Sequence, residues 1–510
     1  MFGSRRVLLV EPGYKSKYPP LGLMKIATYH RLRDDHVVFV KGLVPEMQRQ
    51  SWDRVYVSSL FTYYWNETVR TIHYYGSCVR TRKDIYVGGV MATLLPEDLE
   101  SDTGATIIGG LLDKPGMLDH GDRTIVDALI PDYSILADSG FEYHLQNSYI
   151  AYATRGCPRR CEFCAVHRIE PEFVQYLPLR SYVSRIEDKY GPKRDLILLD
   201  NNVLASDQFS QIISDVKALG FERGARFSYL SKAGRITSAH RILDFNQGLD
   251  ARLLTEDKMA LLSETAIKPV RIAFDDLKYR ELYEGKIRLA AKFGLEHLSN
   301  YVLYNYLDRP SELYERLAIN LSLNEELGVK VFSYPMRYVS LASKDRLVTT
   351  PGNVGPNWNP KFLRAIRCIL LRTKGLVGIS KPYFEAAFGR DVNEFMKILM
   401  MPEDYILRRG DSAASGMIHQ WQRDVAALSP SEKDMFARIV QTNQFRDIDF
   451  HGLPRSVKKA TSHYLARDMS NLHLLATEPG AGFDPAETEP EVGIGGDPWL
   501  LGGVDVAAAK

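Results

Sequence analysis

The sequence predicts an α/β protein in three folded parts: a parallel α/β domain, an open or complete β/α barrel, and a helical C-terminal domain. Two series of short β-rich runs, each run followed by a stretch long enough for a helix, predict the first two parts. The fading of the β signal beyond about residue 350, where helical periodicity takes over, predicts the third. Strands that alternate with helices pair in parallel and are covered on both faces.

The first series consists of "RRVLLVEP", "HVVFVKG", "RVYVSSLF", "DIYVGGV" and "GATIIGG", within residues 1–115. Gly88 and Gly89 directly follow one of these strands, where an open α/β sheet admits a ligand and where a tight turn serves equally well. The pattern then loosens through "LLDKPGMLDHGDRTIVDALIPDYS", which reads as a linker over 116–146. The second series, "SYIAYAT", "RDLILLD", "RILDFNQGLD", "PVRIAFDD", "LSNYVLY" and "VKVFSYP", gives six βα units over 147–345. Between them lie amphipathic stretches such as "SDQFSQIISDVKAL" and "TEDKMALLSE". Functional groups collect at the C-terminal ends of such strands. Helices follow over 350–475, in "NPKFLRAIRCILLRT", "KPYFEAAFG", "VNEFMKILM" and "SEKDMFARIVQTN". Residues 477–510 are rich in Gly, Pro and acids and are expected to form a disordered tail, because they bury too little apolar surface to offset the entropy of ordering.

Bulk composition removes several classes of function. With 65 Lys and Arg against 63 Asp and Glu, a net charge of +2 supplies no global field for nucleic acid or an anionic membrane. No window approaches the ~20 apolar residues of a membrane span. The opening "MFGSRRVLLVEPGY" has too short an apolar run for a secretory leader and reads as a first buried strand. Five cysteines in 510 residues make no disulfide framework, so a reducing cytoplasm is expected; Cys78 and Cys368 stand alone, and Cys368 in "RAIRCILL" reads as a small buried hydrophobe.

The other three cysteines are close together in "RGCPRRCEFCAVHR", immediately after the first strand of the second series. Cys157, Cys161 and Cys164 form C-x3-C-x2-C, a spacing that lets three thiolates converge on one metal centre from one loop. On a [4Fe-4S] cluster, three ligands leave one iron open to a small molecule. A Cys3His zinc site completed by His167 is the competing reading.

C-x3-C-x2-C with the aromatic Phe163 before the last cysteine, placed after a first barrel strand, resembles the signature of the radical SAM superfamily. The resemblance implies an N-terminal Rossmann-like domain followed by a partial (β/α)6 barrel and a helical domain. It also implies that Cys157, Cys161 and Cys164 hold a [4Fe-4S] cluster whose fourth iron chelates S-adenosylmethionine (SAM), and that one electron cleaves SAM to methionine and a 5'-deoxyadenosyl radical. Phe163 would lie against the adenine. Asp200, Asn201 and Asn202 of "LDNN" stand where relatives meet the SAM amino group, although the common Gly-Gly-Glu is lacking. Gln247, Asp250 and Arg252 of "NQGLDARLL" match a run that often faces SAM, and Asp275 and Asp276 of "RIAFDD" are candidates for the ribose hydroxyls. A helix cap is the competing role for each of these carboxylates.

The opening domain, with "EPGYKSKYPPLGLMKIATYHR" and "YVGGVMATLLPEDLE", resembles the cobalamin-binding domain of many radical SAM methyltransferases. Cobalamin would then sit near Ser58, Ser59, Gly88 and Gly89, and methyl transfer would be the reaction. Against this, the Gly-Glu-Gly-Glu type linker is missing; the chain also has no Asp-x-His-x-x-Gly, a motif that radical SAM relatives commonly do without. The resemblance further implies a low-potential electron donor of flavodoxin or ferredoxin type as partner, and leaves the substrate open. The alternative is a non-enzymatic Cys3His zinc protein that presents Arg155, Arg159, Arg160 and Arg168 to nucleic acid or a protein partner.

Overall fold

The structure is a computed structural model that describes residues 4–16, 18–230, 234–445 and 450–465. The tail expected over 477–510 lies outside the described residues. The chain divides into two compact units, Met1–Arg271 with Lys292–Leu295 and Leu341–Asp345, and Ile272–Ala291 with Glu296–Ser340 and Arg346–Lys510. The division between Arg271 and Ile272 falls inside the segment 147–345 read as one barrel.

In the first unit, all five runs of the first series are strands: β1 (Arg6–Glu11), β2 (His36–Lys41), β3 (Arg54–Ser59), β4 (Ile85–Gly89) and β5 (Thr106–Ile108). They form one parallel sheet of order β2-β1-β3-β4-β5. The interior strand β1 is covered on both faces, with Val7, Leu8, Leu9 and Val10 all at 0% exposure, which is why it reads as an unbroken apolar run rather than an alternating one. Strand order reverses between β1 and β3, the crevice where open α/β sheets take ligands.

The segment expected as a loose linker is held down instead. It forms short 3-10 turns at Val126–Ala128 and Tyr133–Ser139. Tyr133 donates its hydroxyl proton to Ser148 O at 2.9 Å, and buried Asp132 accepts from Ser134 N at 2.9 Å. Polar composition concealed this packing, because its aspartates are satisfied by partners remote in sequence.

The first four runs of the second series are strands of the first unit, β6 (Ser148–Ala151), β7 (Asp195–Leu198), β10 (Leu243–Phe245) and β11 (Val270–Arg271), with a hairpin of β8 (Arg226–Leu230) and β9 (Ile236–His240) between β7 and β10. Strands β10, β7 and β6 pair in parallel in that order. The antiparallel β8–β9 hairpin is an insertion the sequence reading did not anticipate. Its residues are half-buried or exposed, so they have no continuous apolar signal. The helices Phe209–Ala218 and Glu256–Ser263 lie where the amphipathic stretches place them.

In the second unit, β12 (His297–Tyr304) and β13 (Lys330–Arg337) pair in parallel over eight residues. The expected helices follow at Pro360–Arg372, Lys381–Phe388, Val392–Met400 and Pro430–Gln441. Cys368, Phe384, Phe395 and Trp421 belong to one apolar core there, so Cys368 is the buried hydrophobe expected.

Candidate functional site

The cysteine loop is rooted at the end of β6 by a carboxylate from the end of β7. Asp200, 1% exposed, accepts the N–H of Ala153 at 3.0 Å, the N–H of Thr154, and the Thr154 hydroxyl at 2.6 Å. Burial pushes its carboxyl up to about 6 against these hydrogen bonds and the nearby Arg155. Asp200 therefore ties two strand ends together and is turned toward the backbone.

Glu170 organises the next stretch. Its carboxylate accepts Gly156 N at 2.6 Å, Asn201 Nδ2 at 2.9 Å and Arg155 at 2.7 Å. Arg155 Nη2 in turn donates to both oxygens of Asp127, at 2.6 and 2.7 Å, and Asp127 accepts from Lys25 at 2.8 Å. Burial opposes the charge on Asp127, yet Lys25 and Arg155 hold its carboxyl below the usual range. Gly156 has φ +70, and a Cβ there would meet the backbone oxygens of Glu172 and Glu170, so only glycine fits the turn into the first cysteine.

All three loop cysteines are half-buried, and none of the chain's five is in a disulfide. Cys164 N donates to Cys161 O at 3.0 Å, closing a turn that places the last two cysteines beside Phe163. Asn202 donates from Nδ2 to Cys157 Sγ at 3.4 Å. Asn202 Oδ1 and His167 Nδ1 are buried polar atoms without a hydrogen-bond partner. Arg159 Nε donates to Asp250 Oδ2 at 2.7 Å, and Arg252 Nε to Asp250 Oδ1 at 2.7 Å. Burial opposes the Asp250 charge, but Arg252 and Arg159 hold the carboxyl low.

Of the residues the sequence singled out, the cysteine loop thus engages Asp200, Asn202 and Asp250 directly and Asn201 through Glu170. Gln247 is exposed and donates to Asn246 Oδ1 at 3.4 Å. Asp275 and Asp276 belong to the second unit, where Asp276 accepts from Lys278 N at 2.9 Å as a helix cap does. Glu170, Asp127 and Lys25 were not singled out. Glu170, a carboxylate closing the cysteine loop, was findable; Lys25 and Asp127 lie 102 positions apart and carry no local signal.

Among the described residues, no group of three or more His, Cys, Asp or Glu side chains stands converged on a metal position. The donor set nonetheless fits an iron–sulfur cluster chemically: three thiols on one loop, an amide aimed at one sulfur, and orphaned buried polar atoms beside them. The four positions expected to hold cobalamin fit less well. Ser59 is committed to the sheet, donating to Gly88 O at 2.8 Å and accepting Ala92 N at 3.0 Å, and a Cβ on Gly89 would meet Ser59 O. That leaves Ser58 as the one uncommitted hydroxyl, and no step is assigned to cobalamin.

The zinc alternative with a basic docking loop finds no support. Arg155 is buried in ion pairs with Asp127 and Glu170, Arg159 pairs with Asp250, and Arg168 donates to Leu94 O at 3.1 Å. Three of the four arginines therefore hold the fold together rather than present charge to a partner. No helix among the described residues is long and apolar enough to cross a membrane.

No protein-family model and no curated protein matches the chain. Among solved structures it is similar to a radical S-adenosylmethionine methyltransferase, TsrM, from Kitasatospora setae with tryptophan substrate and the SAM analogue aza-SAM bound. That match has 16% identity and a TM-score of 0.47, over 72% of this chain and 77% of that one. It is also similar to SuiB of Streptococcus suis bound to precursor peptide SuiA, at 11% identity and a TM-score of 0.29, over 44% of this chain and 45% of that one. At these values neither likeness carries an argument about activity.

Proposed function

We propose that the chain is a radical SAM enzyme, with Cys157, Cys161 and Cys164, on the loop that follows β6, as the ligands of a [4Fe-4S] cluster. One observation carries this reading: the three-cysteine loop springs from the end of β6, its root is held by Asp200 from β7, and Asn202 of the same β7 loop reaches Cys157 Sγ at 3.4 Å. When bound, cluster and SAM supply reductive cleavage of the sulfonium to methionine and a 5'-deoxyadenosyl radical. The protein's own part is positional. Glu170 and Gly156 fix where the loop turns, Arg155 anchors it to Asp127, and Arg159 to Asp250. Cys157, Cys161 and Cys164 would hold the cluster through their thiolates. Phe163 lies beside the last cysteine, with a flat face for adenine.

A narrower second reading, cobalamin-dependent methyl transfer, rests only on the crevice between β1 and β3 of the parallel sheet and not on Ser59, Gly88 or Gly89, which are committed to the sheet. Retention of a corrinoid spectrum after incubation with hydroxocobalamin and gel filtration supports that reading, and its loss removes it.

The main proposal is tested by anaerobic reconstitution with iron and sulfide, reduction in the presence of SAM, and chromatography of the products. Formation of 5'-deoxyadenosine by the wild type and not by Cys161→Ala is expected. One bound zinc, no cluster and intact SAM would overturn it.

A further inference from the structure

We infer that Asn202 is a tuning residue whose side-chain amide donates a hydrogen bond to the sulfur of Cys157 and raises the reduction potential of the cluster. The inference rests on the proposed function and adds to it a role within the chain's own loops.

Asn202 Nδ2 stands 3.4 Å from Cys157 Sγ, within the reach of an N–H···S bond, and the residue is 4% exposed. A cluster-bound cysteine is a thiolate and accepts hydrogen bonds only, so the amide must present its N–H there and its oxygen elsewhere. Its oxygen is buried without a hydrogen-bond partner. The two residues before the amide are both tethered: Asn201 is tied through Glu170 to Gly156 N, the residue before Cys157, and Asp200 is tied to Thr154. Three successive residues of the β7 loop therefore hold the root of the cysteine loop, its turn and its first sulfur.

An N–H aimed at a ligating sulfur stabilises the more electron-rich oxidation state. Hydrogen bonds to the sulfurs are among the determinants of cluster potential, and their donors tune a metal without touching it. In the step concerned, the oxidised cluster takes one electron from an external reductant, the extra charge spreads onto its sulfurs, and no proton or bond is exchanged. Removing the donor should make this reduction harder.

The test is a dye-mediated EPR titration of reconstituted wild type and Asn202→Leu without SAM, with Ti(III) citrate as reductant. Leucine keeps the branching at Cγ and removes the donor. The equilibrium constant for one-electron reduction is expected to fall about tenfold, ~59 mV, with iron content unchanged. A potential equal to that of the wild type would overturn the inference while leaving the proposed function standing. If the leucine variant assembles no cluster, wild type labelled with ¹⁵N-asparagine decides: a ¹⁵N hyperfine coupling to the reduced cluster supports the bond, and its absence overturns it. A wild type that takes up no iron overturns the proposed function and this inference together.

Discussion

Arg155 Nη2 reaches both carboxylate oxygens of Asp127, at 2.6 and 2.7 Å, in an ion pair that fastens the cysteine loop to the segment connecting the two strand series of the first unit. The pair is shared with Lys25 and Glu170, so four charges neutralise one another where little water reaches: the Lys25 and Arg155 side chains are 6% and 8% exposed. Breaking such a set is costly because the partners left behind are buried and unpaired.

Asp127→Asn should therefore destabilise the protein by about 3 kcal/mol, read as a lower urea midpoint at unchanged slope. Because the folded protein holds this carboxyl below its ordinary range, its contribution is present above the unfolded value of ~3.9 and is lost as pH falls below it. Wild type and Asp127→Asn should accordingly converge in stability at acid pH.

Asp200 gives the opposite sign. Burial raises its folded value to about 6, above the unfolded value, so its contribution is complete below ~3.9 and fades as pH rises through 6. The slope amounts to at most ~1.4 kcal/mol per pH unit. Denaturation of wild type between pH 4 and 7 should show this decline, and Asp200→Asn should lack it.

Thiol chemistry separates the cysteines. Burial pushes Cys78 up to about 11 and Cys368 up to about 12, so both are protonated and shielded at neutral pH. Iodoacetamide on the folded, iron-free protein should label Cys157, Cys161 and Cys164, which are half-buried, and spare the other two until urea is added. Mass spectrometry of the labelled peptides reads the count directly.

Gly156→Ala places a side chain on a left-handed backbone, at about 1–2 kcal/mol, and against the carbonyls of Glu172 and Glu170. We expect lower stability and, because the turn leads straight into Cys157, a lower iron content after reconstitution. Gly191→Ala, at φ +76 with open space around it, carries the backbone cost alone and should keep its iron.

The strands were legible where burial is two-sided. "VLLV" of β1 and "LIL" of β7 are unbroken apolar runs because both faces are covered, and the three cysteines were legible because a metal loop keeps its ligands close in sequence. What stayed hidden depends on distance along the chain. Asp127 reads as a solvated linker residue until Arg155 and Lys25 are brought to it. Asp200, read as a ligand for SAM, spends its oxygens on Ala153 and Thr154. The β8–β9 hairpin was missed because Leu230 and Ile236, its outermost apolar pair, are 70% and 84% exposed and give no core signal.

The most direct measurement is the EPR spectrum of the anaerobically reconstituted, reduced wild type, recorded with and without SAM. An S = 1/2 iron–sulfur signal that changes shape when SAM is added, and is absent from Cys161→Ala, is the result predicted for a cluster with one iron open to the cofactor. A reduced protein without such a signal, or with a signal indifferent to SAM, would contradict it.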